Sequence, residues 1–481
     1  MKLIYNVNAT PREMGFGKMI VFAIQQLLAI MAATLVVPVI IGHSMSPAAA
    51  LFGAGVGTLV YILFTKKRSP VFLGSSFAFL GSMAAAFAGA VSTSLGYLGM
   101  IIGAASAGLV YVIIALVVKF FGVKWIARLM PAVVIGPTVT IIGLSLAGNA
   151  IGDLQKGGYT VPVTDWVIGQ NGLPELATSF VPTANVLICV LVGLVTLGTV
   201  IACSVFGKKK MFRLIPFIIG ILAGYVVAAI FTVIGIAADV DALRVINFGV
   251  FQGLLENGKV TINTFVALPD FTFLTAFKGD YNFGEYGGMG KYIVSILAAY
   301  CPVAFVVFAE HIADHKNLST IIERDLLEDP GLDKTLLGDG VGSMVGAFFG
   351  GCPNTTYGES VGCVAITGNA SVYTIITAAI GAILISFLTP FVAFVNSIPA
   401  CVMGGVCMAL YGFIAVSGLK MIKNVDLEEH GNLFTVSVIL ISGIGGLTLT
   451  FGSITITAIA TALILGILVN LFANRKKKDA E

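Results

Sequence analysis

The sequence is dominated by a succession of apolar runs, each close to the length that crosses a lipid bilayer. A transmembrane helix needs about 20 mostly apolar residues, and such runs follow one another along nearly all 481 residues. Only 11% of the residues are charged, which is less than half of the ~25% found in soluble domains. The chain is therefore expected to be a polytopic membrane protein with no room for a large soluble domain.

Fourteen candidate spans can be drawn, and the charges between them predict their orientation. If the N-terminus is cytoplasmic, all but five of the 27 Lys and Arg residues fall on the cytoplasmic side. The positive-inside rule then predicts a multi-pass protein of the plasma membrane with both termini in the cytoplasm. The candidate spans are 19-42, 48-64, 70-91, 97-120, 125-148, 183-206, 212-236, 288-312, 336-351, 352-370, 372-396, 399-419, 433-450 and 452-473.

One polar stretch, GGCPNTTYGESVG from Gly350 to Gly362, interrupts the apolar sequence. Backbone that is not helical at membrane depth is tolerated only where protein or a water-filled cavity satisfies its hydrogen bonds. Transporters place such broken helices at their substrate sites. The stretch is therefore a candidate binding element, and a short loop at the membrane surface is the alternative.

Two internal matches suggest that the chain is a duplicated half. Ser75-Ser76-Phe77 resembles Thr355-Thr356-Tyr357 at an offset of 280, and the segment from Pro131 resembles that from Pro399 at an offset of 268 to 269. These offsets pair the third span with the tenth and the fifth with the twelfth, so each half contains seven spans. Because seven is odd, the second half must enter the membrane upside down. The expected fold is all-α, with two inverted repeats and a site where their broken elements meet.

Three carboxylates lie inside or beside apolar runs, where a charge is costly. Glu310 ends one run, and Asp314 follows four residues later on the same helical face. Glu359 lies within the polar stretch. Carboxylates close together in a partly dry cavity can share a proton near neutral pH, so Glu310 and Asp314 are candidates for proton coupling. The alternatives are a Glu310 satisfied by neighbouring polar groups and an Asp314 exposed at a helix end.

The two broken elements add hydrogen-bond donors and aromatic rings. If half-helices begin at about Phe77 and Gly358, their N-termini point free N–H groups into the cavity. A planar molecule with both carbonyl and N–H groups would suit this site, and Phe77 or Tyr357 could stack on its face. Ser76 is a further candidate contact, and glycine at 358 would let the backbone approach closely.

Other chemistries find little support. The four histidines and seven cysteines show no metal-ligand spacing, and no nucleophile and base pair can be assembled. Asp339 begins the ninth candidate span and is expected to cap a helix N-terminus. No phosphate-binding loop is present, so energy would come from an ion gradient. The sequence predicts a transporter, not an enzyme, without a cofactor, a metal or a nucleic acid partner.

Several segments together resemble the nucleobase/ascorbate transporter family, and within it the uracil permeases. The resemblance runs essentially from end to end, and NTTYGE is its most specific part. The matching segments are QQLLAIMAATLVVPVI from Gln25, LGSSFAF from Leu73, FAEHIADH from Phe308 and LLEDPGLDKTLLGDGVGSMVGAFFGGCPNTTYGESVGCVAIT from Leu326.

This resemblance implies a core domain (1-120 and 288-398), a gate domain (121-240 and 399-481) and an extracellular connection (241-287). Short antiparallel strands in spans 3 and 10 would flank the substrate. Family members are proton symporters that move core against gate, often as homodimers. By motif, Glu310 and Glu359 match the carboxylates that contact uracil, Gly358 a backbone contact and Phe77 the aromatic residue of the third span.

Two departures from the uracil-permease pattern leave alternatives open. The chain has Gln25-Gln26 where the pattern has Gln-His, and Asp314 stands where His is frequent. An acid at position 314 is more familiar from purine transporters, whereas Glu359 favours uracil because purine members usually have Gln there. A xanthine or purine permease is thus the main alternative. An anion transporter is less favoured, because no Lys or Arg lies in 70-80 or 350-362. Sodium coupling also stays open.

Overall fold

The computed structural model describes residues 3–168, 174–207, 212–213, 215–255, 258–279, 281–423, 425–451 and 454–473. Its architecture is predominantly helical, as expected. Within these residues, eight helices are long and apolar enough to cross a membrane. Several predicted spans correspond to shorter helices, so the count of fourteen stays a prediction.

In the described part of the first half of the chain, the helices are accompanied by one short strand and one hairpin. Its elements are α1 Pro11–Met14, α2 Phe16–Ile41, α3 Pro47–Phe64, β1 Leu73–Ser75, a 3-10 turn Phe77–Phe79, α4 Leu80–Ala86, α5 Thr93–Phe121, α6 Lys124–Leu129, α7 Ala132–Ser145, α8 Ala147–Leu154, β2 Thr160–Ile168, β3 Pro174–Pro182, α9 Val186–Phe206, α10 Pro216–Ala237 and α11 Gly249–Gln252.

The second half contains the longest helix and a second strand in the region of the polar stretch. Its elements are α12 Thr272–Ala276, α13 Met289–Ile322, α14 Leu332–Gly350, β4 Asn354–Thr356, α15 Gly358–Thr367, α16 Val372–Ser386, α17 Thr389–Ser397, α18 Ala400–Ile422, α19 His430–Ile444, β5 Leu449–Phe451, β6 Ile454–Ile456 and α20 Ala458–Ala473. Between α13 and α14, residues Leu327–Gly331 form a π turn.

The chain divides into two compact units. The larger comprises Met1–Leu146, Leu268–Phe387 and Leu410–Glu481. The smaller comprises Ala147–Ala267 and Leu388–Ala409, and contains the β2–β3 hairpin and the packed pair α9 and α10. All the predicted site residues lie in the larger unit.

Glycines bring α3 and α14 into close contact in the larger unit. A Cβ atom on Gly57 would lie 2.7 Å from the carbonyl oxygen of Gly342, and a Cβ on Gly342 would lie 2.7 Å from that of Gly57. Gly53 and Gly346 meet one turn further along. Small residues spaced four apart allow such close packing in a membrane, where the hydrophobic effect does not drive helices together. This packing places β1 and β4, which adjoin α3 and α14, side by side.

Candidate substrate site

The site is organised by a short antiparallel strand pair, β1 and β4. Leu73 lies opposite Thr356, Gly74 opposite Thr355, and Ser75 opposite Asn354. The pairing continues beyond the strands, because the Ser76 N–H donates to the Pro353 carbonyl at 2.9 Å. The predicted strands in the third and tenth spans are thereby confirmed. Antiparallel pairing is the relation expected between corresponding elements of inverted repeats.

Each strand leads directly into a helical segment. The 3-10 turn at Phe77 and helix α4 follow β1, and α15 begins at Gly358 after β4. Neither helical start is capped by a side chain. The first N–H groups of a helix have no intrahelical partner and carry partial positive charge. Two donor-rich helix starts therefore follow the strand pair, as the sequence predicts.

The three candidate carboxylates converge on the start of α15. Thr356 donates from Oγ1 to Asp314 Oδ2 at 3.0 Å, and a Cβ atom on Gly358 would lie 3.7 Å from Asp314 Oδ1. Glu310, one turn earlier on α13, interacts electrostatically with both Asp314 and Glu359. Glu310 and Glu359 are partly exposed, whereas Asp314 is buried. Helix α13 also packs against the 3-10 turn, where Phe79 stacks on Tyr300.

Phe77 and Tyr357 have different environments although the repeat matches them. The Phe77 ring is 7% exposed and packs edge-to-face against Tyr411, with ring centroids 5.6 Å apart. Tyr357 lies over Gly74, and its hydroxyl donates to the Ser75 carbonyl at 2.7 Å. The Tyr357 ring thus fastens β1 to β4. Phe77 and Tyr357 both stay predicted substrate contacts.

Two polar side chains next to the strand pair bear on the site. Ser76 is 1% exposed, and its hydroxyl has no hydrogen-bond partner within the part of the chain that the structure describes. Gln26, whose role the sequence leaves open, donates from Nε2 to Ser360 Oγ. Ser360 Oγ also accepts the Phe72 N–H at 3.1 Å. Gln26 therefore connects α2 to the first turn of α15.

Sequence reasoning missed a buried polar cluster behind the carboxylates. His311 Nδ1 lies 2.7 Å from Asp339 Oδ2, and the rings of His311 and His315 stack 4.0 Å apart. His315 Nε2 lies 2.8 Å from the Tyr61 hydroxyl, which donates to Ser69 at 2.7 Å. The spacing of four between the two histidines on an apolar helix was the available signal.

The predicted capping role of Asp339 is wrong. Helix α14 begins at Leu332, so Asp339 lies two turns inside it and is buried against His311. Gly331, with a φ of 106°, precedes the first residue of the helix. Among the described residues no group of three or more His, Cys, Asp or Glu side chains is placed to hold a metal ion.

Two short strands that each lead into an uncapped helix start are the kind of broken element that membrane transport proteins place at their substrate sites, and they indicate a protein of that class. The profile of the Permease family (Xan_ur_permease) matches residues 17–452. The uracil permease of Bacillus caldolyticus is 37% identical over 468 residues, covering 97% of this chain and 94% of that protein. The uracil permease of Bacillus subtilis (strain 168) is 34% identical, covering 95% and 93%.

The chain belongs to this permease family, and its resemblance to the uracil permeases is confirmed. It is accordingly a transporter and not an enzyme. The transmembrane domain of the cyanobacterial bicarbonate transporter BicA shares its fold, with a TM-score of 0.58 at 14% identity, covering 97% of this chain and 98% of that one. SLC26A9 does so with a TM-score of 0.60 at 10% identity, covering 97% and 66%. These two likenesses concern the fold alone.

Proposed function

We propose that this permease imports uracil together with a proton. The observation that carries the proposal is the approach of the α13 carboxylates to the uncapped start of α15, with Asp314 bonded to Thr356 and adjoining Gly358. The names of the most similar relatives supply the choice of substrate, since they are uracil permeases.

The polar groups of uracil match the donors and acceptors of this site. Uracil presents two N–H donors and two carbonyl acceptors around a flat ring. Glu310 and Glu359 would accept its N–H groups in charge-assisted hydrogen bonds. Backbone N–H groups at Gly358, and at the start of the 3-10 turn next to Ser76, would donate to its carbonyls. Phe77 would contact the ring face. Tyr357 would act indirectly, by fixing the strand pair.

Proton coupling is assigned to Glu310 and Asp314. They lie one turn apart on α13 and interact with each other and with Glu359. Three carboxylates so close together disfavour full ionisation, so binding of a proton lowers their mutual repulsion. A proton on Glu310 or Asp314 would leave Glu359 charged, so that Glu359 can accept a hydrogen bond from an N–H of the base. Loss of the proton after inward release of uracil would reset the site.

Transport would proceed by movement of the core domain (1-120 and 288-398) against the gate domain (121-240 and 399-481). These boundaries are the ones that the family resemblance implies, and they differ from the two compact units of the structure. We place the protein in the plasma membrane with both termini in the cytoplasm, on the distribution of Lys and Arg. Assembly as a homodimer is part of the same proposal.

Uptake of labelled uracil into proteoliposomes, driven by an imposed pH gradient, tests the function. We expect accumulation that a protonophore abolishes and that an imposed sodium gradient does not restore. Uracil uptake that is unchanged by the protonophore would refute proton coupling. A panel of unlabelled bases identifies the substrate, because stronger competition by xanthine or uric acid than by uracil would favour the purine alternative.

A further inference from the structure

A cavity of about 370 Å³ lies in the larger unit, away from the carboxylate site. Its charged side chains and one tyrosine come from three separate parts of the chain: the loop between α3 and β1, the connection between α13 and α14, and the start of α16. Its polar lining includes Lys66, Lys67, Arg68, Arg324, Asp329 and Tyr373. The charge distribution predicts that the two loops face the cytoplasm.

The lining carries more positive than negative charge. Asp329 is its one acidic side chain among the described residues, and it pairs with both Arg68, at 2.5 Å, and Arg324. Hydrogen bonds from these arginines lower the pKa of Asp329, so the carboxylate stays ionised. Lys66 and Lys67 make no ion pair within the described ranges. Four cations facing one carboxylate leave an excess of about three positive charges.

The two lysines are held at the cavity by an ordered loop. Lys66 and Lys67 both adopt left-handed backbone conformations, with φ values of 51° and 60°. Two backbone hydrogen bonds close the loop. The Lys67 N–H donates to the Ile62 carbonyl at 3.0 Å, and the Arg68 N–H donates to the Thr65 carbonyl at 3.0 Å. Lys67 Nζ lies 5.7 Å from the ring centroid of Tyr373. Consecutive left-handed residues are unfavourable for side-chain-bearing residues, so the hydrogen bonds that close the loop must offset this cost.

We propose that this cavity binds a phosphate group. Guanidinium groups provide forked N–H donors that fit phosphate oxygens, and lysines add compact positive charges. The volume is within the range of about 300–1,000 Å³ typical of small-molecule sites. It is larger than a single chloride ion would occupy. The phosphate has two chemical sources, a soluble ester such as a nucleoside monophosphate or the headgroup of an anionic lipid at the cytoplasmic surface.

The test uses the full-length protein in nanodiscs of neutral phosphatidylcholine. Inorganic phosphate and UMP are titrated separately by isothermal calorimetry. Melting temperatures are then compared with those in nanodiscs that contain phosphatidylglycerol. The test variant is K66Q/K67Q. The matched control is K420Q/K423Q, which removes two lysines at the end of α18 that do not line the cavity. Gel filtration and melting without phosphate establish that both variants are folded.

A soluble ligand is supported if UMP or inorganic phosphate binds the wild type and the control equally, and K66Q/K67Q at least about tenfold more weakly. A lipid headgroup is supported if neither probe binds, but phosphatidylglycerol raises the melting temperature of the wild type and control and not of K66Q/K67Q. The proposal is overturned if K66Q/K67Q responds to all three probes as the wild type does. It is equally overturned if both variants lose the response together, since that outcome indicates nonspecific charge. Neither readout depends on uracil transport.

Discussion

The hydroxyl of Ser360 offers a quantitative test of how the site is held together. Its Oγ accepts hydrogen bonds from Gln26 Nε2 and from the Phe72 N–H, and all three residues are at most 2% exposed. The hydroxyl thereby joins α2, the segment before β1 and the first turn of α15. We expect S360A to loosen this junction, because alanine has no acceptor for either donor.

The magnitude follows from the number of donors left without a partner. Each buried donor that loses its acceptor costs about 1–3 kcal/mol, so S360A should lower the free energy of unfolding by roughly 2–6 kcal/mol. The variant Q26M removes a donor and leaves Ser360 bonded to Phe72, so it should cost only about 0.5–1.5 kcal/mol. Adding Q26M to S360A removes one of the two stranded donors. The double variant should therefore recover about 1–3 kcal/mol relative to S360A.

Thermal melting of the purified protein in one detergent measures the order of stability. The expected order is wild type, then Q26M, then S360A/Q26M, and S360A lowest. The control S442A removes a hydroxyl that donates to the Val438 carbonyl within α19, so it leaves no stranded donor and should melt close to the wild type. If S360A/Q26M melts at or below S360A, the two losses simply add, and the inferred network is refuted.

Four further outcomes are expected. E359Q should raise the KM for uracil uptake at least about tenfold, since one charge-assisted hydrogen bond is lost; an unchanged KM would exclude Glu359 from the site. D314N should abolish uptake driven by a pH gradient while uracil counterflow persists, as measured in the same proteoliposomes; loss of both would indicate a structural defect. Y357F should lower the melting temperature, because the Ser75 carbonyl loses its donor, and leave the KM unchanged; the opposite pattern would make Tyr357 a substrate contact. D329N should tighten phosphate binding severalfold in calorimetry at pH 8, and should still tighten it at pH 5, because the wild-type carboxylate keeps its charge when its pKa is lowered; the gain should be smaller at pH 5, where the phosphate carries less negative charge, and weaker binding would contradict the charge argument.

The two interruptions could be predicted from the residues, whereas the strand pair itself was implied by the family resemblance. Pro353 and Asn354 break the apolar sequence, and the repeat supplies the matching position at Ser75. The structure places Ser75 opposite Asn354. Glu310 and Asp314 were predictable for a similar reason, since a spacing of four on a helix places two side chains on one face.

The direction of the Tyr357 ring could not be predicted from local pattern. Alternate residues of an extended chain point to opposite faces, so Thr356 and Tyr357 must face different surroundings, but the sequence does not say which one faces α13. The packing decides it. Thr356 donates a hydrogen bond to Asp314. The Tyr357 ring lies over Gly74, in space that a side chain at position 74 would otherwise occupy.

Helix boundaries that lie outside the apolar runs could not be predicted from the sequence pattern either. Hydropathy marks where a helix enters the lipid, whereas the start of α14 at Leu332 follows the backbone of Gly331. Charged residues such as Asp333 and Lys334 can therefore lie on a helix before the apolar stretch begins. This difference turned Asp339 from a predicted cap into a buried partner of His311.

The arrangement of α13 explains how flexible carboxylates can be held in register with the start of α15. Glu310 and Asp314 form one stripe of the helix, and His311 and His315 form the neighbouring stripe, displaced by about 100°. The histidine stripe is bonded to Asp339 on α14 and to Tyr61 on α3. Rotation of α13 would break these buried hydrogen bonds, each costly to lose without water to replace it. Helices α3, α13 and α14 are therefore expected to move together, carrying the carboxylates and the strand pair as one rigid body during transport.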